Sequence, residues 1–226
     1  MAEPSEILAQ VLVVAATERE LAPSNGWRTL LCGVGPVEAA MTTALEIARV
    51  RPLAVLHVGI AGARRVRKLG PTSLVIGSES CYSDLSPSNR WSPRMIAATP
   101  SLVTAAERAI PSAIVTRIGT TARVGGTNYN ECDVEAMEGF AVLRAAQRSA
   151  IPAIEVRAIS NEIEEQDRAR WHFDAAFEAI CAATPLLVAA IAAQLRSDVR
   201  VNLHTELQAD LPDDVRANVR NSASHA

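Results

Sequence analysis

The sequence has no strong excess of either charge and few aromatic residues. Its 226 residues include 22 basic and 25 acidic side chains, which gives a formal net charge of −3. Proteins that bind nucleic acid or an anionic membrane surface usually carry a basic patch, so we expect neither partner. Aromatic residues make up 4% of the chain and hydrophobic residues 49%, so the apolar content is mainly aliphatic, as in helices that cover a sheet.

Cysteines and targeting signals are also sparse. Cys32, Cys81, Cys132 and Cys181 are widely spaced and form no C-x-x-C pair. We expect reduced thiols in a cytoplasmic protein, with no metal site and no cofactor. We see no apolar run of the roughly 18 residues that cross a bilayer, so we expect no membrane segment. The N-terminal MAEPSEILAQ lacks the basic flank and apolar core of a signal peptide, which agrees with a cytoplasmic location.

Short apolar runs alternate with helical patterns, which predicts an α/β protein with a largely parallel sheet. The predicted strands are residues 10–16, 29–34, 53–60, 73–77, 113–119 and 153–160, and the last predicted helix covers about 173–195. No linker divides the chain. We therefore expect one domain over residues 8–196 and a polar tail, frayed or disordered, over residues 197–226.

The stretch from Asp133 to Asn161 combines a predicted helix with a predicted strand. Asp133 is a suitable N-cap, and Glu138 falls on a helical face that is otherwise apolar. A carboxylate there must be paired, protonated or used in binding. The strand ends in Ser160 and Asn161, and open α/β sheets bind ligands at the carboxyl ends of their strands. A structural Glu138 and a strand that simply ends in a turn would explain the pattern equally well.

Further polar features follow the first and third predicted strands. Glu18 and Glu20 lie just past the first, and the loop GIAGA at residues 59–63 follows the third. Glycines there would let a ligand approach the backbone, although a tight turn and solvated surface acids are the simpler explanations. His57, inside the third strand, is interpreted as a core residue. Because these features and Glu138 gather at strand ends, the sequence favours an enzyme.

Six motifs, VLVVAATEREL, CGVGPVEAA, VLHVGIAGA, SESCYSDLS, DVEAMEGFA and EVRAISN followed by QDRARW, resemble the nucleoside phosphorylase/nucleosidase superfamily. Within it they are most similar to futalosine hydrolases, which are related to 5′-methylthioadenosine/S-adenosylhomocysteine nucleosidases. The resemblance implies a purine nucleoside phosphorylase-like fold, a three-layer sandwich around a mixed, largely parallel, twisted sheet. It also implies a cofactor-independent hydrolase of purine nucleosides that assembles as a homo-oligomer.

The resemblance also assigns roles to individual residues. Glu20 matches the carboxylate that activates water, and Asn161 matches the position that recognises the base. The expected substrate-binding residues surround the sugar or the base; they are Gly62, Met137, Glu138, Arg157, Ser160, Thr120 and Thr121. Among them Met137 and Glu138 match the ribose-binding pair.

Asn161 stands where adenine-specific nucleosidases usually carry Asp. An amide can donate a hydrogen bond to O6 or N7 of a 6-oxopurine, so we expect hypoxanthine as the released base. The resemblance implies that the substrate is futalosine and that the reaction is a step of a menaquinone route. Glu18 and Glu20 would repel phosphate, which favours hydrolysis over phosphorolysis. The alternatives are a methylthioadenosine-type nucleosidase, a phosphorylase, and a catalytically silent nucleoside-binding relative, because EIEEQDR after Asn161 departs from the family pattern.

Overall fold

The computed structural model describes residues 4–86, 88, 90–124 and 132–209. Within these residues eight strands form one sheet: β1 (Val11–Ala15), β2 (Arg28–Leu31), β3 (Ala54–Ala63), β4 (Leu74–Tyr82), β5 (Met95–Ala97), β6 (Ile114–Thr120), β7 (Val134–Ala136) and β8 (Ala153–Glu162). The helices are α1 (Pro4–Leu8), α2 (Pro36–Val50), α3 (Pro100–Ala109), α4 (Gly139–Arg148) and α5 (Phe173–Ala209). The six predicted strands are therefore present, and β5 and β7 are additional.

Five of these strands close into a ring. In order around it, β3 pairs with β8, β8 with β4, β4 with β6, β6 with β7, and β7 with β3. The β3–β8, β4–β6 and β6–β7 pairs are parallel, and the other two are antiparallel. Closure leaves these strands without a free edge. β1 and β2 continue the sheet in parallel from β3, and β5 pairs antiparallel with β4. The predicted mixed, largely parallel sheet is confirmed.

Helices cover the sheet on both sides. β1 and the first half of β3 are fully buried, as expected for parallel strands with helices on both faces. On one side α2 packs against α4, and on the other α5 packs against α1, α3, β3 and β8. This arrangement confirms the predicted layers of helix, sheet and helix.

The helix predicted to begin near Asp133 begins later. Residues Val134–Ala136 form β7, which pairs with both β3 and β6, and α4 starts only at Gly139. Glu138 is the N-cap residue, with a non-helical φ of −124°. Backbone pairing with two strands distant in sequence has outweighed the helical apolar pattern. The prediction that Glu138 lies on a helical face was wrong, although its burial was anticipated correctly.

The long helix α5 differs from the prediction in two respects. It continues to Ala209, beyond the predicted end near 195, and residues 210–226 of the predicted tail lie outside the described residues. By length and composition alone, its segment Phe173–Val201 is long and apolar enough to cross a membrane. The expectation that no apolar run reaches this length was therefore wrong. In the structure one apolar face of this segment is buried in the core; its members include Ala176, Ile180, Leu187, Val188 and Ile191. The apolar character of α5 is thus used in core packing, and the absence of a membrane partner stays a prediction.

The two faces of α5 provide a matched pair of variants. Leu187 is fully buried, whereas its neighbour Leu186 is 57% exposed. Leu187→Ala should lower the free energy of unfolding by about 2–5 kcal/mol, because it removes apolar contacts and leaves a cavity. Leu186→Ala should change it by less than about 0.5 kcal/mol. Urea unfolding followed by circular dichroism measures both, and equal effects would mean that α5 does not face the core as described.

Candidate active site

A cavity of about 410 Å³ opens beside the ends of β3, β7 and β8. Its volume suits a ligand of nucleoside size. Its polar and charged lining side chains are Thr17, Glu20, Thr121, Glu135, Glu138, Ser160, Asn161 and Arg168. Its apolar walls include Val34, Ile60, Met137, Trp171, Phe173 and Phe177.

Gly62 forms part of the cavity wall between two polar residues. In the β-ladders it pairs with Glu135 of β7 on one side and with Asn161 of β8 on the other. A Cβ atom at Gly62 would lie 3.0 Å from Asn161 Nδ2 and 3.2 Å from Ile163 Cγ1. The glycine therefore makes room for the Asn161 amide. It leaves an open surface between an amide and a carboxylate.

A β-bulge explains why Ser160 and Asn161 both line the cavity. Consecutive residues of a regular strand point to opposite faces. Between β3 and β8 the pairing shifts by one residue after Ala61, so that Ser160 is the extra residue of β8. Ser160 Oγ contacts Ala61 O at 3.2 Å and Asn161 Oδ1 at 2.8 Å, and Asn161 Nδ2 donates to Glu162 O at 2.9 Å. These contacts orient the amide and leave one N–H of Nδ2 for a ligand.

Glu20 is held at the cavity by its own turn and by β3. It ends a 3-10 turn directly after β1 and is 4% exposed. Its Oε2 accepts hydrogen bonds from Thr17 N and Thr17 Oγ1, both at 2.9 Å, and its Oε1 accepts from Ile60 N at 3.1 Å. Glu18 is exposed and does not line the cavity, so the predicted repulsion of phosphate there depends on Glu20 rather than on both acids.

Glu138 lies at the junction of β7 and α4. Its Oε1 accepts a hydrogen bond from Gly35 N at 3.0 Å, and its Oε2 is 3.5 Å from Arg157 Nη2. Gly35 has a φ of 91°, a conformation that favours glycine, and it directs its N–H toward the carboxylate. Burial raises the pKa of Glu138, although Arg157 and the Gly35 N–H act in the opposite direction.

Arg157 lies beneath the cavity rather than in its wall. It is fully buried, its Nε donates to Glu155 Oε1 at 2.8 Å, and its Nη2 is 3.1 Å from a ring nitrogen of His57. Burial, and then the charge of Arg157, hold the pKa of His57 well below its usual value, so the ring is neutral and can accept. His57 is a core residue, as predicted. Arg157 contacts Glu138 and not Asn161, so its predicted support of the base position is not found.

Gly59 brings Glu20 and Arg157 together. A Cβ atom there would collide with Arg157 Nη1 and lie 2.7 Å from Glu20 Oε1. The sequence suggested that this glycine admits a ligand. Instead, the two side chains occupy the space, and any larger residue would displace one of them.

The cluster around Arg157 contains more acid than base. The three carboxylates of Glu20, Glu138 and Glu155 face the single guanidinium of Arg157, and Glu20 and Glu155 both raise the pKa of Glu138 further. Low-dielectric surroundings strengthen such effects. A ligand that gains positive charge would therefore be stabilised here, whereas an anion would be repelled.

Seven of the nine predicted site residues line the cavity: Glu20, Gly62, Thr121, Met137, Glu138, Ser160 and Asn161. Arg157 and Thr120 do not. Thr120 Oγ1 accepts a hydrogen bond from Phe140 N at 2.8 Å, which stabilises the start of α4. Thr121 Oγ1 is 2.7 Å from Arg123 O and 3.1 Å from Glu135 Oε1.

Sequence reasoning missed Glu135 and the aromatic wall. Glu135 was hidden by the incorrect helix prediction, because only the pairing of β7 aims it at the cavity. The wall consists of Trp171, Phe173 and Phe177, with successive ring centroids 5.3 and 6.3 Å apart. The i, i+4 spacing of the two phenylalanines at a helix start was the available signal.

Comparison with known proteins agrees with this geometry. Residues 28–193 match the Phosphorylase superfamily. The chain is 31% identical over 178 residues to the futalosine hydrolase of Streptomyces coelicolor, an alignment that covers 69% of this chain and 76% of that protein. The chain therefore belongs to the phosphorylase superfamily.

Solved structures confirm the fold. A 5′-methylthioadenosine/S-adenosylhomocysteine nucleosidase from Colwellia psychrerythraea in complex with adenine matches with a TM-score of 0.70 and 20% identity, over 82% of this chain and 95% of that one. The futalosine hydrolase of Helicobacter pylori matches with a TM-score of 0.70 and 16% identity, over 79% and 96%. The predicted phosphorylase-like fold and the prediction of an N-glycosyl hydrolase are confirmed.

The raised pKa of Glu138 predicts opposite effects of one substitution. Because ionisation is harder in the folded protein, Glu138 costs stability as pH rises from the ordinary value of 4.5 through its folded pKa. Between pH 4.5 and neutrality, the free energy of unfolding of Glu138→Gln should therefore fall less than that of the wild type. Urea unfolding at several pH values measures this difference. Nucleoside hydrolysis should fall about 100-fold or more, because the charge at the cavity is lost. Unchanged hydrolysis would make Glu138 a structural residue.

Proposed function

We propose that the chain hydrolyses the N-glycosidic bond of a 6-oxopurine nucleoside and that its substrate is futalosine, with hypoxanthine and dehypoxanthinyl futalosine as products. The observation that carries this proposal is the presence of Glu20, Glu138 and Asn161 around one cavity. The similarity to the Streptomyces coelicolor futalosine hydrolase supports the choice of substrate. A step of menaquinone synthesis, a cytoplasmic location and a homo-oligomer stay predictions.

Glu20 is suited to activate the attacking water. Three hydrogen bonds fix its carboxylate, and each oxygen keeps a further lone pair that can accept from water. Glycoside cleavage passes through an oxocarbenium-like sugar, which a weak nucleophile attacks once a base removes its proton. Glu20 supplies that base in the cavity wall.

Glu138 is suited to bind the ribose hydroxyls. Its carboxylate accepts one hydrogen bond from Gly35 and is 3.5 Å from Arg157, which leaves acceptor capacity on the cavity side. As the sugar becomes cationic, Glu138 and the acid excess around Arg157 stabilise it more than they stabilise the neutral ground state. Catalysis requires this difference.

The walls on either side of Gly62 favour a 6-oxopurine. The remaining N–H of Asn161 Nδ2 can donate to O6 or N7 of hypoxanthine. Across Gly62, the Glu135 carboxylate is an acceptor for the N1–H of hypoxanthine, a hydrogen that adenine lacks. Adenine would instead turn the lone pair of its unprotonated N1 toward that carboxylate, which disfavours it relative to hypoxanthine. Departure of the base then depends on hydrogen bonds from Asn161, which has no acidic proton to transfer.

The proposal is tested by incubating the pure protein with futalosine, inosine and methylthioadenosine, with and without phosphate, and separating the released bases. Futalosine should yield hypoxanthine at a rate independent of phosphate. Release of adenine alone from the panel, or a strict need for phosphate, would refute futalosine hydrolysis.

In the same assay Glu20→Gln should lower turnover about 100-fold or more, because the amide cannot deprotonate water.

Glu18→Gln is the matched control for Glu20→Gln, because Glu18 is the exposed acid of the same turn. It should keep wild-type turnover. Calorimetry with hypoxanthine should show that Glu20→Gln still binds the product. Near-normal turnover of Glu20→Gln would remove Glu20 from the mechanism, and loss of product binding would indicate a damaged cavity instead.

Asn161→Asp should move the preference from 6-oxopurines toward 6-aminopurines. A carboxylate accepts from a 6-amino group, and when protonated it can donate to N7, whereas an anion faces O6 unfavourably. We expect the ratio of kcat/KM for inosine to that for adenosine to fall about tenfold or more. Ser160→Ala should lower both values without reversing the preference, because it removes the hydroxyl that orients the amide. An unchanged ratio in Asn161→Asp would contradict the role given to position 161.

A further inference from the structure

One cation at the opening of the cavity has no part in the mechanism above. Arg168 begins the 3-10 turn Arg168–Arg170, is exposed, and lines the cavity. Among the described lining residues it is the single basic side chain, whereas Glu20, Glu135 and Glu138 lie at the inner part of the site. The cavity therefore has an acidic interior and one positive group at its mouth.

The acids next to Arg168 in sequence do not neutralise it. The loop EIEEQD contains four carboxylates, and each has a partner elsewhere. Glu162 pairs with the Arg65 guanidinium, Glu164 accepts from the Arg65 backbone N–H, and Glu165 and Asp167 contact Arg170. In the part of the chain that the structure describes, no carboxylate lies within 4.0 Å of the Arg168 guanidinium. Arg19, which lies over the Phe177 ring, and Arg170, which belongs to the same turn as Arg168, are both paired with carboxylates.

Arg168 is also held in position. Its Cζ lies 5.5 Å from the centroid of the Trp171 ring, and Trp171 Nε1 donates to Glu165 O at 3.0 Å. A guanidinium that contacts an aromatic face keeps its N–H edge available, and that edge fits both oxygens of a carboxylate. Positioning by Trp171 reduces the conformational entropy that such a contact would otherwise cost.

The distribution of charge restricts where a substrate can carry an anion. An anionic group near the sugar or the base would face the three inner carboxylates. At the mouth it would face Arg168, while the four loop acids nearby disfavour a group of higher charge than a carboxylate. The fitting ligand is thus a purine nucleoside whose sugar carries a substituent that extends outward and ends in a carboxylate.

We infer that Arg168 binds a carboxylate on the outward-reaching substituent of the nucleoside and thereby selects carboxylate-bearing substrates over neutral ones. The inference rests on the proposed nucleosidase function and adds to it a determinant of the second half of the substrate. According to this inference, the EIEEQDR loop, which departs from the family pattern, places Arg168 where it can contact the substrate.

The test compares two inosine derivatives of equal size, 5′-deoxy-5′-(2-carboxyethylthio)inosine and its carboxamide. The wild type should prefer the carboxylate by about tenfold in kcat/KM, and Arg168→Gln should bring the ratio of the two values close to one. Arg168→Lys should give an intermediate ratio, because a single ammonium replaces the two-pronged contact. A direct effect of folding or of wall shape would change both values together and leave the ratio unaltered.

Arg170→Gln is the matched control, because Arg170 belongs to the same turn, does not line the cavity, and pairs with Glu165. Its ratio should equal that of the wild type. Equal values for carboxylate and carboxamide in the wild type, or an unchanged ratio in Arg168→Gln, would overturn the inference and leave the proposed hydrolysis intact. If the wild type released base from neither compound and also failed to release hypoxanthine from futalosine, the proposed function would fail. Calorimetric binding of both compounds to Glu20→Gln would then decide the role of Arg168 independently.

Discussion

The buried charge of Arg157 constrains the whole site. A fully buried guanidinium is stable only when carboxylates and acceptors surround it, because desolvation of an unpaired charge costs several kcal/mol. Glu155 accepts from the Arg157 Nε at 2.8 Å, and His57 contributes a neutral ring nitrogen at 3.1 Å. Glu138 is then an additional acid at 3.5 Å rather than a necessary partner, which leaves it able to serve a ligand. The strands β3 and β8 that carry these groups are fixed by the closed ring.

The site uses an unfavourable arrangement that stability alone would not select. Three carboxylates beside one arginine repel one another, and burial, to which the charges of Glu20 and Glu155 add, raises the pKa of Glu138. The same excess of negative charge is useful when the sugar passes through a cationic state. Strain of this type is expected where function opposes stability, and here it is confined to a few side chains attached to rigid strands.

The sequence was informative where structure depends on local pattern. Continuous apolar runs identified β1 and β3, and the resemblance placed Glu20, Glu138 and Asn161 at one site, which the cavity brings together. It failed where long-range pairing decides. The three residues of β7 have no strand signal of their own, so Glu135 was assigned to a helix and its place in the cavity wall was missed. The composition of α5 could not show that its apolar residues face a core, nor could spacing show that Arg157 lies below the cavity.

The bulge at Ser160 has a consequence for how this chain is compared with its relatives. One additional backbone residue in β8 allows neighbours to share a face that alternation would assign to only one of them. The residue type at position 161 can therefore be compared between chains only when the number of β8 residues before it is the same. Two chains may share the residue at this position but differ in the number of residues between it and Arg157. They would then present different side chains to the cavity. In this chain, a residue inserted into or deleted from β8 before Asn161 would change which side chain faces the cavity.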